Sequence, residues 1–415
     1  MSLIVQKYGG TSVANPERIK NVARRLLETQ QHGNSVVAVV SAMSGVTDSL
    51  IQLASQVSKK PMAREMDVLL STGEQTTMAL MAMAIHELGG KAVSLTGAQA
   101  GILTDDWHTK AKINSIIPQQ IQEHLEKGNI VIVAGFQGET SHGEITTLGR
   151  GGSDLTAIAL ASALNADECQ IFTDVDGVFT CDPRIVPAAQ KLEVIAYEEM
   201  LEMASSGSKV MQSRSVEFAK KFNVRFEVRS SFNNHSGTMV KEESPSMEQV
   251  VVRGVSIERN QAKVTIHSVP DRPGCAARIF TAVADAGLVI DVIVQNISAS
   301  GSMDISFTLN CDELEKMDDL IERIAVEIGA GEVRKQAGIA KLSIVGIGMR
   351  THSGVAAKLF EALAEGGINI RMISTSEIKV AVIIDEARIE EAAQRVHKAF
   401  GLDSVTPNVP LIVGR

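Results

Sequence analysis

The chain has 415 residues, 44% of them hydrophobic and 21% charged, with a formal net charge of -9 at pH 7. That length exceeds one ordinary core and predicts two or three domains of globular composition. The acidic balance excludes general affinity for a nucleic-acid backbone, and 3% aromatic residues offers few platforms for stacked bases.

At the N-terminus, Leu3 to Val5 is too short for the apolar core of a signal peptide. The strongest apolar runs, such as "IVIVAGF" (130–136), are strand-sized, and none approaches the roughly 20 residues of a membrane span. The cysteines at 169, 181, 275 and 311 form no C-x-x-C pair and no zinc spacing. They predict reduced thiols in a cytoplasmic protein.

Up to about residue 230, short apolar runs alternate with helical patterns. Strands are expected at "LIVQKY" (3–8), "VVAVVSA" (36–42), "KAVSLT" (91–96), "IVIVAGF" (130–136), "CQIFTDV" (169–175) and "RFEVRS" (225–230). Their near-continuous hydrophobicity fits strands buried on both faces. Asn15-Pro16-Glu17 supplies an N-cap, a first-turn proline and an early acid for a helix running to about Gln31 and stopping near Gly33. A second helix is expected after "STGE" (71–74), ending at Gly89-Gly90, and a third from Ser153-Asp154 to near Asn165. This alternation predicts a mainly parallel α/β sheet with helices on both faces.

The polar stretch "SSFNNHSGTMVKEESPSMEQ" (230–249) reads as a connection between domains. Beyond it lies an internal repeat. Gly274, Phe280, Gly287 and Ile290 align at one constant offset with Gly354, Phe360, Gly367 and Ile370. Each copy reads as strand, glycine turn, amphipathic helix and further strands, which predicts two ferredoxin-like βαββαβ modules. The expected division is a catalytic domain over 1–245, a connecting segment over 246–262, and modules over 263–341 and 342–415.

Ligands of open α/β sheets sit beyond the C-terminal strand ends. Four glycine-containing loops fall there: "KYGGTS" (7–12), "SAMSGVTD" (41–48), "GFQGETSHGEITTLGRGGSD" (135–154) and "TDVDGVFTCDPR" (173–184). Glycines let backbone N–H groups approach an anion, and helix N-termini add a positive dipole end. The first loop is no Walker A sequence, because Lys7 precedes Gly9 and Gly10. His86 and the methionines Met78, Met81 and Met83 read as helix-face and core residues rather than ligands.

"KYGGTS", "STGE", "GRGGSD" (149–154), "TDVDGVFTCDPR" and "GSKVM" (207–211), in this order, resemble the aspartokinases of the amino-acid kinase superfamily. The tandem repeat resembles their paired ACT domains. The resemblance implies the amino-acid kinase fold and ATP-dependent phosphorylation of the β-carboxylate of L-aspartate, with Mg²⁺ accompanying ATP and no metal-binding side chains assigned. It implies that Lys7 stabilises the transition state between the ATP phosphates and the attacking carboxylate. Gly9, Gly10, Thr11 and Ser12 would meet the phosphates. Arg150 would clamp the aspartate α-carboxylate and Glu74 would take its α-ammonium. Ser41, Thr47 and Ser153 would complete the pocket, and Asp154 would orient Lys7 or the substrate amine. Thr173, Asp174, Phe179, Arg184 and Lys209 would hold nucleotide; position 179 is often Tyr in the family, so a hydroxyl contact is lost there.

The ACT copies imply effector sites. In the first, Asp271, Gly274, Cys275 and Ala276 form a turn opening a helix, followed by Val289, Ile290, Asp291, Gln295 and Asn296. In the second, Val355, Ala356, Asn369, Ile370 and Ser376 are the equivalents. The copies diverge where Asp291 aligns with Arg371 and Gln295 with Thr375, so the two sites are not expected to bind alike. Lysine and threonine are the effectors the resemblance suggests, with a homodimer or higher oligomer formed through the ACT domains. An internal start at Met247 could yield a separate small subunit. Two rival readings remain: a glutamate, acetylglutamate, carbamate or UMP kinase of the same superfamily, and an amino-acid sensor with an inactive kinase domain.

Overall fold

The computed structural model describes residues 1–208, 210–243, 251–297 and 302–404. Two compact units emerge. The first comprises Met1–Phe179, Lys191–Ser205 and Lys209–Pro245, and the second comprises Thr180–Gln190, Ser206–Ser208 and Ser246–Arg415.

The first unit runs β1 (Leu3–Tyr8), α1 (Pro16–Gln31), β2 (Ser35–Val40), α2 (Val46–Val57), α3 (Ala63–Glu87), β3 (Ala92–Leu95), β4 (Ile102–Thr104), β5 (Ile113–Ile116) and α4 (Gln119–Glu126). It continues with β6 (Ile130–Ala134), β7 (Gln137–Glu139), β8 (Ile145–Thr147), α5 (Gly152–Ala163), β9 (Glu168–Thr173), β10 (Val194–Ala196), α6 (Tyr197–Ser205), α7 (Ser213–Lys221), β11 (Phe226–Ser230) and β12 (Thr238–Lys241). The main sheet has the order β10-β12-β11-β9-β1-β2-β6-β3. Its neighbours are parallel except where β12 runs antiparallel to β11. The alternation of strands and helices therefore produced the sheet it predicts. Tyr8, Val36, Ala38, Ile132 and Phe172 pack with α1 and α3 residues such as Leu26, Met81 and Ile85 in one core. The Asn15 side chain accepts from Arg18 N at 3.0 Å, capping α1 where the sequence places its start.

Three features differ from the sequence expectation. The helix expected after "STGE" begins at Ala63, so Glu74 sits mid-helix. The Ser71 and Thr72 hydroxyls bond back to the Val68 and Leu69 carbonyls, at 2.9 and 2.7 Å, instead of capping a new helix. The stretch from 230 is not all connection: Thr238–Lys241 is β12, with Thr238 and Val240 facing inward. A second sheet, β5-β4-β7-β8, was not visible in the sequence because its strands span only three or four residues.

The second unit runs β13 (Gly254–Pro270), α8 (Cys275–Asp285), β14 (Ile293–Ile297), β15 (Ser302–Asn310), α9 (Leu314–Ile328), β16 (Val333–Val345), α10 (Val355–Glu365), β17 (Met372–Thr375), β18 (Lys379–Asp385) and α11 (Ile389–Ala399). All six strands form one antiparallel sheet, β14-β15-β13-β16-β18-β17. The first ferredoxin-like module is continuous from the second half of β13 to the start of β16. The second is not. Its last strand comes from upstream: Gly254–Glu258 pairs with Val345–Lys341 of β16. Residues 254–258, within the segment expected to connect domains, thus supply a strand of the second module. Register breaks between Glu258 and Lys263, and Asn260 at φ 60, mark the passage of β13 from one module to the other.

Candidate active site

The C-terminal ends of β9, β1 and β2 lie side by side in the first unit. β1 delivers Lys7 and Tyr8 between Ile171–Phe172 of β9 and Val39–Val40 of β2. Lys7 is buried, and its Nζ lies 2.6 Å from Asp154 Oδ1 on α5. A buried ammonium needs such a partner. Gly9 N–H donates to Phe172 O at 3.2 Å, and a tight turn over Gly10–Val13 follows. A Cβ on Gly9 would stand 3.3 Å from Lys7 Nζ, so glycine keeps the ammonium uncovered from that side. Thr11 O accepts from Arg18, and Ser12 Oγ is spent on Ser231 Oγ at 2.8 Å. Ser12 therefore ties the loop down, while Gly9 and Gly10 present backbone.

The next loop interlocks with this one. A Cβ on Gly10 would meet Ala42 O at 2.8 Å, and Ser44 N–H donates to Gly10 O at 3.2 Å. Ala42 N–H in turn donates to Glu74 Oε1 at 3.0 Å. Glu74 is 4% exposed, and its Oε2 has no hydrogen-bond partner among the described residues. Burial pushes this carboxyl up to about 7, against the pull of the Ala42 N–H. An incoming ammonium would supply the missing partner. Ser41 follows β2, its N–H bonded to Tyr8 O at 3.1 Å, and Thr47 lies in the first turn of α2. Both are half-buried.

α5 opens on Gly151 at φ 72, and no side chain caps its first N–H groups with a hydrogen bond. Ser153 and Asp154 in its first turn are buried. Arg150, just before, is exposed and has no hydrogen bond or ion pair among the described residues. On the nucleotide side, Thr173 ends β9 and its Oγ1 reaches Asp174 Oδ1 at 3.2 Å; Asp174 is exposed. Phe179 bridges to Lys191. Arg184 belongs to the second unit, where it pairs with Asp182 at 2.7 Å. Lys209 lies outside the described residues. Lys7, Gly9, Gly10, Ser41, Glu74 and Asp154 are thus joined by direct or one-step contacts. Ser231 and the buried Asp67 were missed, because their partners are far away in sequence.

Comparison with known proteins bears on the family. Residues 2–230 match the amino acid kinase family, and 263–326 and 342–400 each match an ACT domain. An aspartate kinase of Pseudomonas putida is 53% identical over 405 residues, covering 97% of this chain and 98% of that one. The chain belongs to the aspartokinase family. In three dimensions it resembles E. coli aspartokinase III in complex with aspartate and ADP, an R-state structure, with TM-score 0.81 and 25% identity over 96% of this chain and 99% of that one. The T-state of that enzyme, in complex with lysine and aspartate, gives 0.77 at 25% identity, over the same shares of the two chains.

In the ACT domains of this aspartokinase chain, Gly274 at φ 101 and Gly354 at φ 87 open α8 and α10. Cys275 and Val355 behind them are buried, Ala276 and Ala356 half-buried, and Asp271 exposed. Val289 and Asn369 are exposed, and Ile290 and Ile370 half-buried. Gln295 Nε2 contacts Met303 Sδ at 2.9 Å, Asn296 pairs in register with Asp304, and Ser376 N–H donates to Lys379 O at 2.8 Å. Asp291 pairs with Lys341, which also lies 2.7 Å from Glu258. Its counterpart Arg371 lies 2.6 Å from Asp385. The divergent charges therefore each have an opposite partner.

Proposed function

We propose that the first unit transfers the γ-phosphoryl group of ATP to the β-carboxylate of L-aspartate, giving 4-phospho-L-aspartate, and that the ACT domains regulate this step by binding amino acids. The chain is an ATP-dependent aspartate kinase with ACT regulatory domains. The observation that carries the reading is the Lys7–Asp154 pair at the sheet edge, facing loops whose glycines present backbone N–H groups. A carboxylate nucleophile has a pKa near 4 and needs no general base at pH 7. What it needs is relief of repulsion between two anions, and positioning. In this reading Lys7 places its ammonium between donor phosphate and acceptor carboxylate, and Asp154 holds it there. Glu74 binds the α-ammonium and Arg150 the α-carboxylate, whose planar shape suits a bidentate guanidinium. Ser41, Thr47 and Ser153 close the pocket, while Thr173, Asp174, Phe179 and Lys209 hold nucleotide.

Magnesium bound to ATP would neutralise the β- and γ-phosphates. No cluster of three His, Cys, Asp or Glu among the described residues could hold a metal. In this reading the phosphates supply most of the ion's ligands, with the exposed Asp174 as a carboxylate beside them.

Lysine and threonine are the proposed effectors. Exposed Val289, Ile293 and Ile297 at the β14 edge, and Ile373 on β17, support pairing of ACT domains between chains. Such pairing would make a homodimer or larger oligomer, with a separate small subunit if translation also starts at Met247, which lies outside the described residues. No helix among the described residues is long and apolar enough to cross a membrane. The four free cysteines suit the cytoplasm, where the enzyme would begin synthesis of lysine, threonine, methionine and isoleucine.

The test is trapping of the acyl phosphate with hydroxylamine, in the presence of ATP and Mg²⁺, with aspartate, glutamate or acetylglutamate as acceptor. Hydroxamate with aspartate alone supports the reading. Hydroxamate with glutamate or acetylglutamate instead assigns the acceptor differently, and none with any acceptor refutes a kinase.

A further inference from the structure

Asp67 is a fully buried carboxylate that the phosphoryl-transfer scheme does not use. It sits on α3, seven residues before Glu74, so the two share one helix face about 10 Å apart. Every bond it makes leads to the segments around Arg150. Its two oxygens accept Thr109 N–H at 3.1 and 3.0 Å, its Oδ1 accepts the Thr147 hydroxyl at 2.5 Å, and His108 Nδ1 lies 2.8 Å from its Oδ2.

These contacts are placed to transmit position. Thr147 ends β8, three residues before Arg150. Thr109 is held at φ 68, a conformation costly for a β-branched residue and sustained only where surroundings impose it. Its carbonyl lies where a Cβ on Gly149 would approach to 3.2 Å, and Gly149 itself adopts φ 77. The strained residue thus abuts the residue preceding Arg150. From the far side, Arg214 donates to Leu148 O at 2.6 Å and to Ala111 O at 2.7 Å, binding the same two segments together.

We propose that Asp67 is a positioning residue for aspartate. By fastening β8 and the Thr109 turn to α3, it fixes the distance between Glu74, which receives the α-ammonium, and Arg150, which receives the α-carboxylate. The inference rests on the reading of Glu74 and Arg150 given above. It makes a selective demand: loss of the fastening spoils the aspartate clamp and leaves the nucleotide loops of β1 and β9 intact. A misplacement of about 1 Å costs up to a hundredfold.

The experiment measures kcat and both KM values in the full-length enzyme. Thr147→Val removes one donor to Asp67 at nearly constant volume, Thr147→Ser keeps the hydroxyl, Asp67→Asn weakens the hub, and Glu74→Gln tests the clamp itself. The expected result is an aspartate KM raised about tenfold or more in Thr147→Val and Asp67→Asn, an ATP KM within twofold of the parent, and recovery in Thr147→Ser. If Asp67→Asn does not fold, the Thr147 pair decides. Equal rises in both KM values, a fall in kcat alone, or no change in Thr147→Val would overturn the proposal while Glu74→Gln still raises the aspartate KM. An unchanged aspartate KM in Glu74→Gln would instead overturn the clamp, and this proposal with it.

Discussion

Lys7 Nζ and Asp154 Oδ1 stand 2.6 Å apart, with both side chains about one-tenth exposed. The pair joins the end of β1 to the first turn of α5, so one contact serves fold and chemistry. Replacing one partner of a buried pair strands the other charge, which costs about 3 kcal/mol or more. Lys7→Ala should lose stability on that scale in urea unfolding, and Lys7→Ala with Asp154→Asn should recover most of it. The double variant should stay inactive, because recovery of the fold does not restore the ammonium.

Glu74 makes aspartate binding depend on pH. Burial raises its carboxyl to about 7, and only the ionised form attracts an ammonium. The kcat/KM for aspartate should therefore rise with pH along an acid limb centred near 7, and kcat should be flatter because bound substrate favours the carboxylate. The stability effect has the opposite sign. Raised above its unfolded value near 4.5, Glu74 supports the fold below that value and opposes it increasingly up to about 7. Glu74→Gln keeps an acceptor for Ala42 N–H. Without substrate at pH 8 it should raise stability by roughly 2–3 kcal/mol, while raising the aspartate KM at least tenfold. Thermal melts and steady-state kinetics check the two halves separately.

Arg150 should not tolerate lysine. A point charge cannot reproduce two parallel bonds to a carboxylate. Arg150→Lys should raise the aspartate KM about tenfold or more and leave the ATP KM within twofold. Equal effects on both substrates would place Arg150 elsewhere in the reaction.

Lys341 lies on the strand shared by the two ACT modules, with 2% of its side chain exposed, between Glu258 and Asp291. Burial works against its charge, yet the two acids hold the ammonium above its ordinary value. Lys341→Met should cost about 3 kcal/mol of stability. It should also change the response to lysine and threonine while kcat without effectors stays within twofold. Inhibition curves for each amino acid alone and for the mixture measure this.

Local signals were legible in the sequence, and long-range ones were not. Asn15-Pro16 placed the start of α1 to the residue, because capping acts through the next turn. Apolar runs placed all six strands of the parallel core within two residues. "STGE" misled, since Ser71, Thr72 and Gly73 resemble a helix start until the packing partner is known. Gly73 is there because Ala42 leaves a Cβ only 2.9 Å. The upstream strand of the second ACT module was hidden for a similar reason: no repeat pattern reveals that residues 254–258 close a module beginning at 339. Lys7, Glu74 and Arg150 came from the family resemblance. Asp67 escaped because a buried acid inside an amphipathic helix has no local mark, and its partner Thr147 is 80 residues away.

The most direct test of the account is the rate of aspartyl hydroxamate formation by Lys7→Ala with saturating aspartate, ATP and Mg²⁺, with folding verified by circular dichroism. Removing a preorganised charge from the transition state predicts a kcat lowered by about 10³-fold. A folded Lys7→Ala enzyme with kcat within tenfold of the parent would contradict the role assigned to Lys7.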